Sequence, residues 1–228
     1  QVAVEQWPTQ GSGQYSGEIS SLASKRPDII HTSLVGTDLE AFLTQMAPRG
    51  LHEQSKILAA ALEPAMFRMG RKIPDGIVFT ARGTNGVFAP PSPLNDWFTS
   101  TYRTRHAEPP VYTAYQYANT LLVLKTAYDA ATKTGGKSTT PEVIKALTGA
   151  TFDTPSGKLT MALGGGHQAI LDTAVGEIVF DAAKGAPSVR NAMRFPAKCV
   201  NPPEGVKSES WLKDGMPGAQ CTGIVSSN

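Results

Sequence analysis

Over its first 80 residues the chain alternates short apolar runs with segments whose apolar residues recur every three to four positions, and this limits the fold more than any other feature. The runs at 28–33, 56–61 and 75–80 are expected strands, with a further short one at Val2-Ala3-Val4. Between them, Ile19, Leu22 and Ala23 recur at helical spacing over Ser16–Lys25 before Pro27 ends the helix. A second helix is predicted from Thr37-Asp38-Leu39-Glu40, a capping-box pattern in which the Thr hydroxyl accepts from the amide three residues on and Glu40 reaches back. Leu39, Phe42, Leu43 and Met46 then share one buried face, and Gly50 is the stop. A third helix is expected over 64–69. Apolar runs alternating with helices predict right-handed β-α-β units and a buried, mostly parallel sheet.

The character changes after Ala81-Arg82-Gly83-Thr84-Asn85-Gly86. Helices are expected over 94–105 and 112–132, the second with Tyr115, Ala118, Leu122 and Lys125 on one stripe and Leu121 beside it. Thr140-Pro141-Glu142 opens a third, with Val143, Ile144 and Leu147 facing inward. Short antiparallel strands follow at 158–161, 168–171 and 174–181, linked by Gly164-Gly165-Gly166 and by Asp172-Thr173. From Gly185 the tail reads as irregular apart from a turn near Trp211, and no internal repeat is present.

Composition removes several partner classes. The formal net charge is +2 and basic residues are not clustered, which argues against nucleic acid or a membrane surface as partner. The longest apolar runs, such as Leu121-Leu122-Val123-Leu124, fall far short of the roughly 18 residues of a membrane span. The first residues carry no export signal, so one was removed or never existed. Cys199 and Cys221 share a Pro- and Gly-rich tail, which suits a disulfide that staples a segment without its own core; two unpaired thiols are the alternative.

Catalytic motifs are missing: there is no GxSxG, GxxxxGK[ST], HExxH or EF-hand loop. His31, His52, His106 and His167 include no i, i+4 pair for zinc, so neither a metal site nor a cofactor is expected. Gly164-Gly165-Gly166-His167 lacks the helix that a phosphate cradle needs and reads as a hairpin turn. Gly83-Thr84-Asn85-Gly86 reads as a connection between lobes, His31 as a hydrogen-bonded core or rim residue, and Tyr115 as core. Tyr117 and Tyr128 belong to helix packing, and Tyr112 at a helix start is placed to reach a cleft.

Two strand ends are more informative. Ser33-Leu34-Val35-Gly36-Thr37 lies between a predicted parallel strand and a helix, where open α/β sheets place small ligands and where first-turn amides favour carboxylate or carbonyl oxygens. An ordinary strand-to-helix turn has the same look. Ala61-Leu62-Glu63-Pro64 puts a carboxylate on the same rim, suited either to a ligand ammonium or amide N–H, or to the helix dipole.

Several stretches together resemble the solute-binding proteins of branched-chain amino acid and amide/urea ABC importers. They are Gln14-Tyr15-Ser16-Gly17-Glu18-Ile19-Ser20-Ser21-Leu22, Lys25-Arg26-Pro27-Asp28-Ile29-Ile30, Gly36-Thr37-Asp38-Leu39 with Gln45, and Arg49-Gly50-Leu51. Pro110-Val111-Tyr112-Thr113-Ala114-Tyr115 and the hairpin Phe152-Asp153-Thr154-Pro155-Ser156-Gly157-Lys158-Leu159-Thr160-Met161 continue the likeness, the hairpin leaning toward the amide/urea branch. The resemblance covers most of 1–181.

It implies an α/β type I periplasmic-binding fold, with mostly parallel sheet lobes flanked by helices and hinge closure on a small ligand. Residues 1–80 would be the second lobe, 81–157 a hinge crossing with helices returning to the first lobe, and 158–228 a late hairpin, the last crossing and a disulfide-stapled tail. The first part of the N-terminal lobe would be absent, making the chain a C-terminal fragment. Ligand positions carry over to Ser33, Leu34, Val35, Gly36 and Thr37, with Val35 where several amino acid binders have an aromatic residue, and to Glu63 as receiver of a ligand ammonium. The expected protein is a periplasmic or extracytoplasmic carrier, not an enzyme and not membrane-spanning. It would deliver an amino acid, amide or small carboxylate to an ABC transporter permease. A ligand-sensing domain of the same fold and a small α/β hydrolase or transferase are the alternatives.

Overall fold

Ser16–Lys25 and Gly36–Met46 are helices α1 and α2 on either side of strand β1, Ile29–Thr32, in a computed structural model that describes residues 1–132 and 138–227. Helix α3 (Leu51–Gln54), strand β2 (Lys56–Ala59), helix α4 (Glu63–Met69) and strand β3 (Val78–Thr80) complete the alternating part. Helices α5 (Pro93–Arg103), α6 (Tyr112–Thr132) and α7 (Thr140–Leu147) follow. Then come strands β4 (Thr151–Thr154), β5 (Gly157–Leu163), β6 (Gln168–Ile170), β7 (Thr173–Asp181) and β8 (Ala186–Phe195). Helices α8 (Ala197–Val200) and α9 (Ser208–Lys213) and strand β9 (Val225–Ser227) close the order. The chain divides into two units, Gln1–Ala81 with Val175–Ala192, and Arg82–Ala174 with Met193–Ser226.

In the first unit β1, β2 and β3 are parallel neighbours, and β7 pairs antiparallel with β3 and adjoins β8. The mostly parallel α/β reading therefore holds. Leu39, Phe42, Leu43 and Met46 of α2 are all buried, as their spacing predicts, and Ile19, Ile57, Leu62, Met66 and Phe79 of the same unit are buried as well. Each fully buried large side chain of this kind contributes about 1.5–3 kcal/mol. Tyr15 packs edge-on to Phe42 at 6.0 Å, and its N–H donates to Gln45 Oε1 at 2.9 Å, while Gln45 Nε2 donates to Gly13 O.

Three local expectations fail here. Val2–Val4 forms no strand, and Val2 is exposed; three residues without a pairing neighbour cannot hold an extended ladder. Of the core-or-rim reading of His31, the rim half holds: the residue is exposed, on an edge strand whose side chains alternate between exposed and buried. The capping box is absent: α2 starts at Gly36 with Val35 as its N-cap, so Thr37 is already helical, and Glu40 pairs with Arg68 of α4. The tail beyond Gly185 is not irregular but begins with β8, whose run Ala186-Pro187-Ser188-Val189-Arg190-Asn191 hides the strand behind polar residues and a proline.

In the second unit β4, β5 and β6 form a three-stranded antiparallel sheet, with Gly164–Gly166 as the β5–β6 turn. Asp172-Thr173 is not a hairpin turn, because β7 leaves this sheet to pair with β3; Asp172 instead accepts from Arg194 Nε at 3.0 Å and Ala197 N–H at 2.8 Å. The buried face of α6 is Tyr115, Asn119, Val123, Ala127 and Ala131, not the Tyr115, Ala118, Leu122, Lys125 stripe. Apolar and polar residues are interspersed round the helix, so spacing alone does not select a face; the small Ala127 and Ala131 select it by letting Val143 of α7 approach. Of the α7 residues expected inside, Val143 is buried while Ile144 is exposed, and the capping box is formed by Thr139 with Glu142. Cys199 and Cys221 are joined, with S–S 2.07 Å, as the disulfide reading expects.

A candidate ligand-binding edge

Parallel pairing of β1 with β2 sets Thr32 opposite Ala59, so the residues after these strands leave the sheet at one edge. Ser33–Thr37 follow β1 and lead into α2; Ala60–Leu62 follow β2 and lead into α4 at Glu63. Both helices therefore start at this edge with their positive dipole ends facing the same way. They pack side by side, and the Glu40–Arg68 pair ties them together.

Ser33, Val35, Gly36 and Thr37 are exposed and Leu34 is half-buried. The turn is shaped by Thr32, which is buried and whose Oγ1 accepts the Leu34 N–H at 3.2 Å. Gly36 has φ +56°, a left-handed conformation that glycine adopts without a Cβ clash, and this lets the chain turn from an extended Val35 directly into α2. Val35 offers no side-chain cap, so the first amides of α2 are not closed off by a capping hydroxyl.

Behind the turn, Asp38 accepts the Gly11 N–H at 2.9 Å. That bond, followed by the nearby Tyr15 hydroxyl, holds the Asp38 carboxyl below its ordinary range. The Tyr15 hydroxyl itself is buried and makes no full hydrogen bond among the described residues. Asp38 thus anchors the loop at Gly11 to α2 and is spent on structure rather than on a ligand. Thr32 and Gly11 both escape a reading from sequence; a β-branched Thr closing an apolar run is the one signal that points to the first.

Glu63 lies on the same edge but is fully buried, at the first position of α4 with Pro64 next to it. The edge thus combines an exposed turn of small and polar residues with a carboxylate sunk into the unit. Among the described residues no group of three or more His, Cys, Asp or Glu is placed to hold a metal ion, and no helix is long and apolar enough to cross a membrane.

No curated protein matches the chain. Solved structures do. The amino acid ABC transporter substrate-binding protein from Pseudomonas fluorescens Pf-5 superposes with TM-score 0.64 at 20% identity, over 82% of this chain and 50% of that one. The solute binding protein of an ABC transporter from Rhodopseudomonas palustris HaA2, in complex with p-hydroxybenzoic acid, gives 0.67 at 17% identity, over 82% and 50%. The leucine-, isoleucine-, valine-, threonine-, and alanine-binding protein from Brucella ovis, in its closed conformation, gives 0.64 at 17%, over 87% and 51%. At these identities the likeness shows the fold, and the chain spans about half the length of the structures it matches. A family model described as periplasmic binding protein matches residues 1–186. With the alternating α/β unit and its open strand-end edge already in view, the chain belongs to the periplasmic binding protein family.

Proposed function

We propose that the protein is an extracytoplasmic solute-binding protein, which captures a small polar ligand and presents it to the permease of an ABC-type importer. The single observation that carries this reading is the shared edge of β1 and β2, where Ser33–Thr37 stand exposed at the start of α2. Membership of the family supplies the function class. An amino acid, an amide or a small carboxylate suits the edge, since each brings a carbonyl or carboxylate oxygen to the first-turn amides of α2 and the hydroxyls of Ser33 and Thr37.

In this reading Glu63 receives the ligand's ammonium or amide N–H. Because the carboxylate is fully buried, that contact requires the rim to open over it. Residues 1–80 act as the second lobe, 81–157 as the crossing and the helices that return to the first lobe, and 158–228 as the late hairpin, last crossing and tail. The protein performs no chemistry on its ligand.

The test is calorimetric titration with a panel of amino acids, small amides and small carboxylates, alongside native mass spectrometry for a co-purified molecule. Binding of one class, weakened by Thr37→Val, supports the reading. An absence of binding across the panel, with no co-purified ligand, overturns it.

A further inference from the structure

A cleft of about 590 Å³ opens beside α6, and every residue of its walls lies between Arg82 and Leu171, within the second unit. That volume is in the range of small-molecule sites. Val123, Leu147, Leu159, Met161 and Leu171 give the cleft an apolar body, and Arg82 is its one charged wall residue among those described. No residue of the β1–β2 edge takes part.

Asn119 sets the polarity of this cleft. It belongs to the wall, is only 4% exposed, and its Oδ1 is buried with no hydrogen-bond partner among the described residues. The orientation of its amide is dictated two residues away along a hydrogen-bonded chain. Asn85 Nδ2 donates to the Arg82 carbonyl at 2.8 Å, so Asn85 Oδ1 is the end that accepts the Ser156 hydroxyl. With its proton committed there, the Ser156 oxygen can only accept, and Asn119 must present Nδ2 to it. Oδ1 is left as the other end of the amide, an acceptor that only a donor can satisfy. Water does not touch it in the empty cleft. A ligand that pushes aside a flexible wall side chain such as Met161 or Gln116 brings its own donor to the oxygen.

The walls choose among donors. An alkyl ammonium would carry its charge out of water beside Arg82, which is doubly unfavourable. A carboxylate offers no donor at all. A neutral hydroxyl on a hydrocarbon body meets both demands, since its carbon skeleton covers the apolar walls and its proton satisfies the one stranded acceptor.

We propose that the α6 cleft is a binding site for a neutral alcohol or phenol, whose O–H donates to Asn119 Oδ1 and whose hydrocarbon part packs on Leu159, Met161 and Leu171. This site shares no residue with the β1–β2 edge and does not depend on the function assigned to that edge.

The probe is 4-propylphenol, titrated into methyl-labelled protein while NMR follows the methyl groups of Leu159, Met161 and Leu171. Its methyl ether, 4-propylanisole, has the same ring and chain but no donor. The expected result is a saturable shift of the cleft methyls by 4-propylphenol, with 4-propylanisole weaker by about tenfold or more, the scale of a buried polar group left unpaired. No saturable shift, shifts confined to residues outside the cleft, or equal affinity for the two probes overturns the proposal. Leu124→Glu places a charge in the wall at a position already 40% exposed, where folding tolerates it, and should abolish binding; retained binding overturns the proposal. Ser156→Ala removes the group that orients the Asn119 amide, so the preference for 4-propylphenol should shrink toward parity. A folded Ser156→Ala protein that keeps the full preference would overturn the contact with Oδ1. The probes are neither amino acids, amides nor carboxylates and the signals come from the second unit, so failure here and failure of the titration at the β1–β2 edge are distinct results.

Discussion

Asn119 of α6 donates from Nδ2 to the Ser156 hydroxyl at 2.7 Å, which ties the helix to the turn between β4 and β5. Ser156 in turn donates to Asn85 Oδ1, and the Thr84 hydroxyl donates to Ser156 O at 2.6 Å. All four residues are buried, so each bond replaces water that cannot reach them. Ser156→Ala removes an acceptor for Asn119 and a donor for Asn85 with almost no change in volume. It should destabilise the protein by about 2 kcal/mol, the scale of stranded buried polar groups. Urea unfolding measures this, and a difference below about 0.5 kcal/mol would show that the network contributes little.

This network also marks where reading from sequence stops. The hairpin holding Ser156 is legible in Phe152-Asp153-Thr154-Pro155-Ser156-Gly157, and Gly83-Thr84-Asn85-Gly86 is legible as a connection, but nothing local says that the two meet. Contacts between residues about 70 positions apart follow from packing, which no window of sequence contains. The α/β alternation and the α2 core were readable because spacing alone encodes a buried face. The α6 face was not, since a helix with its apolar residues spread round it leaves the choice to its neighbours. At the strand-end edge the sequence gives the turn after β1 and the carboxylate after β2 their common side of the sheet, through parallel order alone. The burial of Glu63 and the positive φ of Gly36 come from the three-dimensional fold.

Gly36 is the conformational hinge point of that turn, at φ +56° with no heavy atom within 4 Å of where a Cβ would stand. Space is therefore not the constraint, and backbone conformation is. Gly36→Ala should cost about 1 kcal/mol through left-handed strain. Chemical denaturation tests this, and a stabilised Gly36→Ala protein would show that the turn relaxes to another conformation without cost.

For Glu63 the expectation concerns affinity. If its carboxylate receives a ligand ammonium, Glu63→Gln keeps the shape and removes the charge. An amino acid ligand should then bind more weakly by over about 1.5 kcal/mol, or roughly tenfold, the scale of a charged hydrogen bond. Calorimetry on both proteins decides it. Unchanged affinity in a folded variant would restrict Glu63 to a structural role.

Glu177 on β7 pairs with Lys56 of β2, and with Arg190 and Asn191 of β8. The Lys56 ammonium, and after it the Arg190 and Asn191 donors, hold the Glu177 carboxyl below its ordinary range against some desolvation. A carboxyl depressed in the folded state contributes stability that is complete above its unfolded value and is lost as pH falls through its folded value. Glu177→Gln should therefore lower stability at neutral pH by about 1 kcal/mol or less, given how exposed Lys56 and Arg190 are. The gap should close as the solution is acidified below the ordinary glutamate range. Thermal melts across pH would read it, and a gap that widened toward acid would contradict the sign.

The Cys199–Cys221 bond encloses α9, whose Trp211 is buried and donates from Nε1 to Pro217 O at 3.0 Å. The enclosed segment is rich in Pro and Gly and has few other large apolar side chains to hold it. Its cysteines stand 22 residues apart, a loop for which cross-linking is worth about 3 kcal/mol in the chain-entropy account. Reduction should therefore release α9 and wet Trp211. Tryptophan emission reports this with little ambiguity, because Trp7 and Trp97 are already 87% and 54% exposed and have little environment left to lose. The expected result is a red shift on reduction, reproduced by a Cys199→Ser, Cys221→Ser variant and absent from oxidised protein in the same buffer. Unchanged emission after complete reduction would mean that Trp211 is held by its packing and its bond to Pro217 alone, with the disulfide dispensable for this part of the fold.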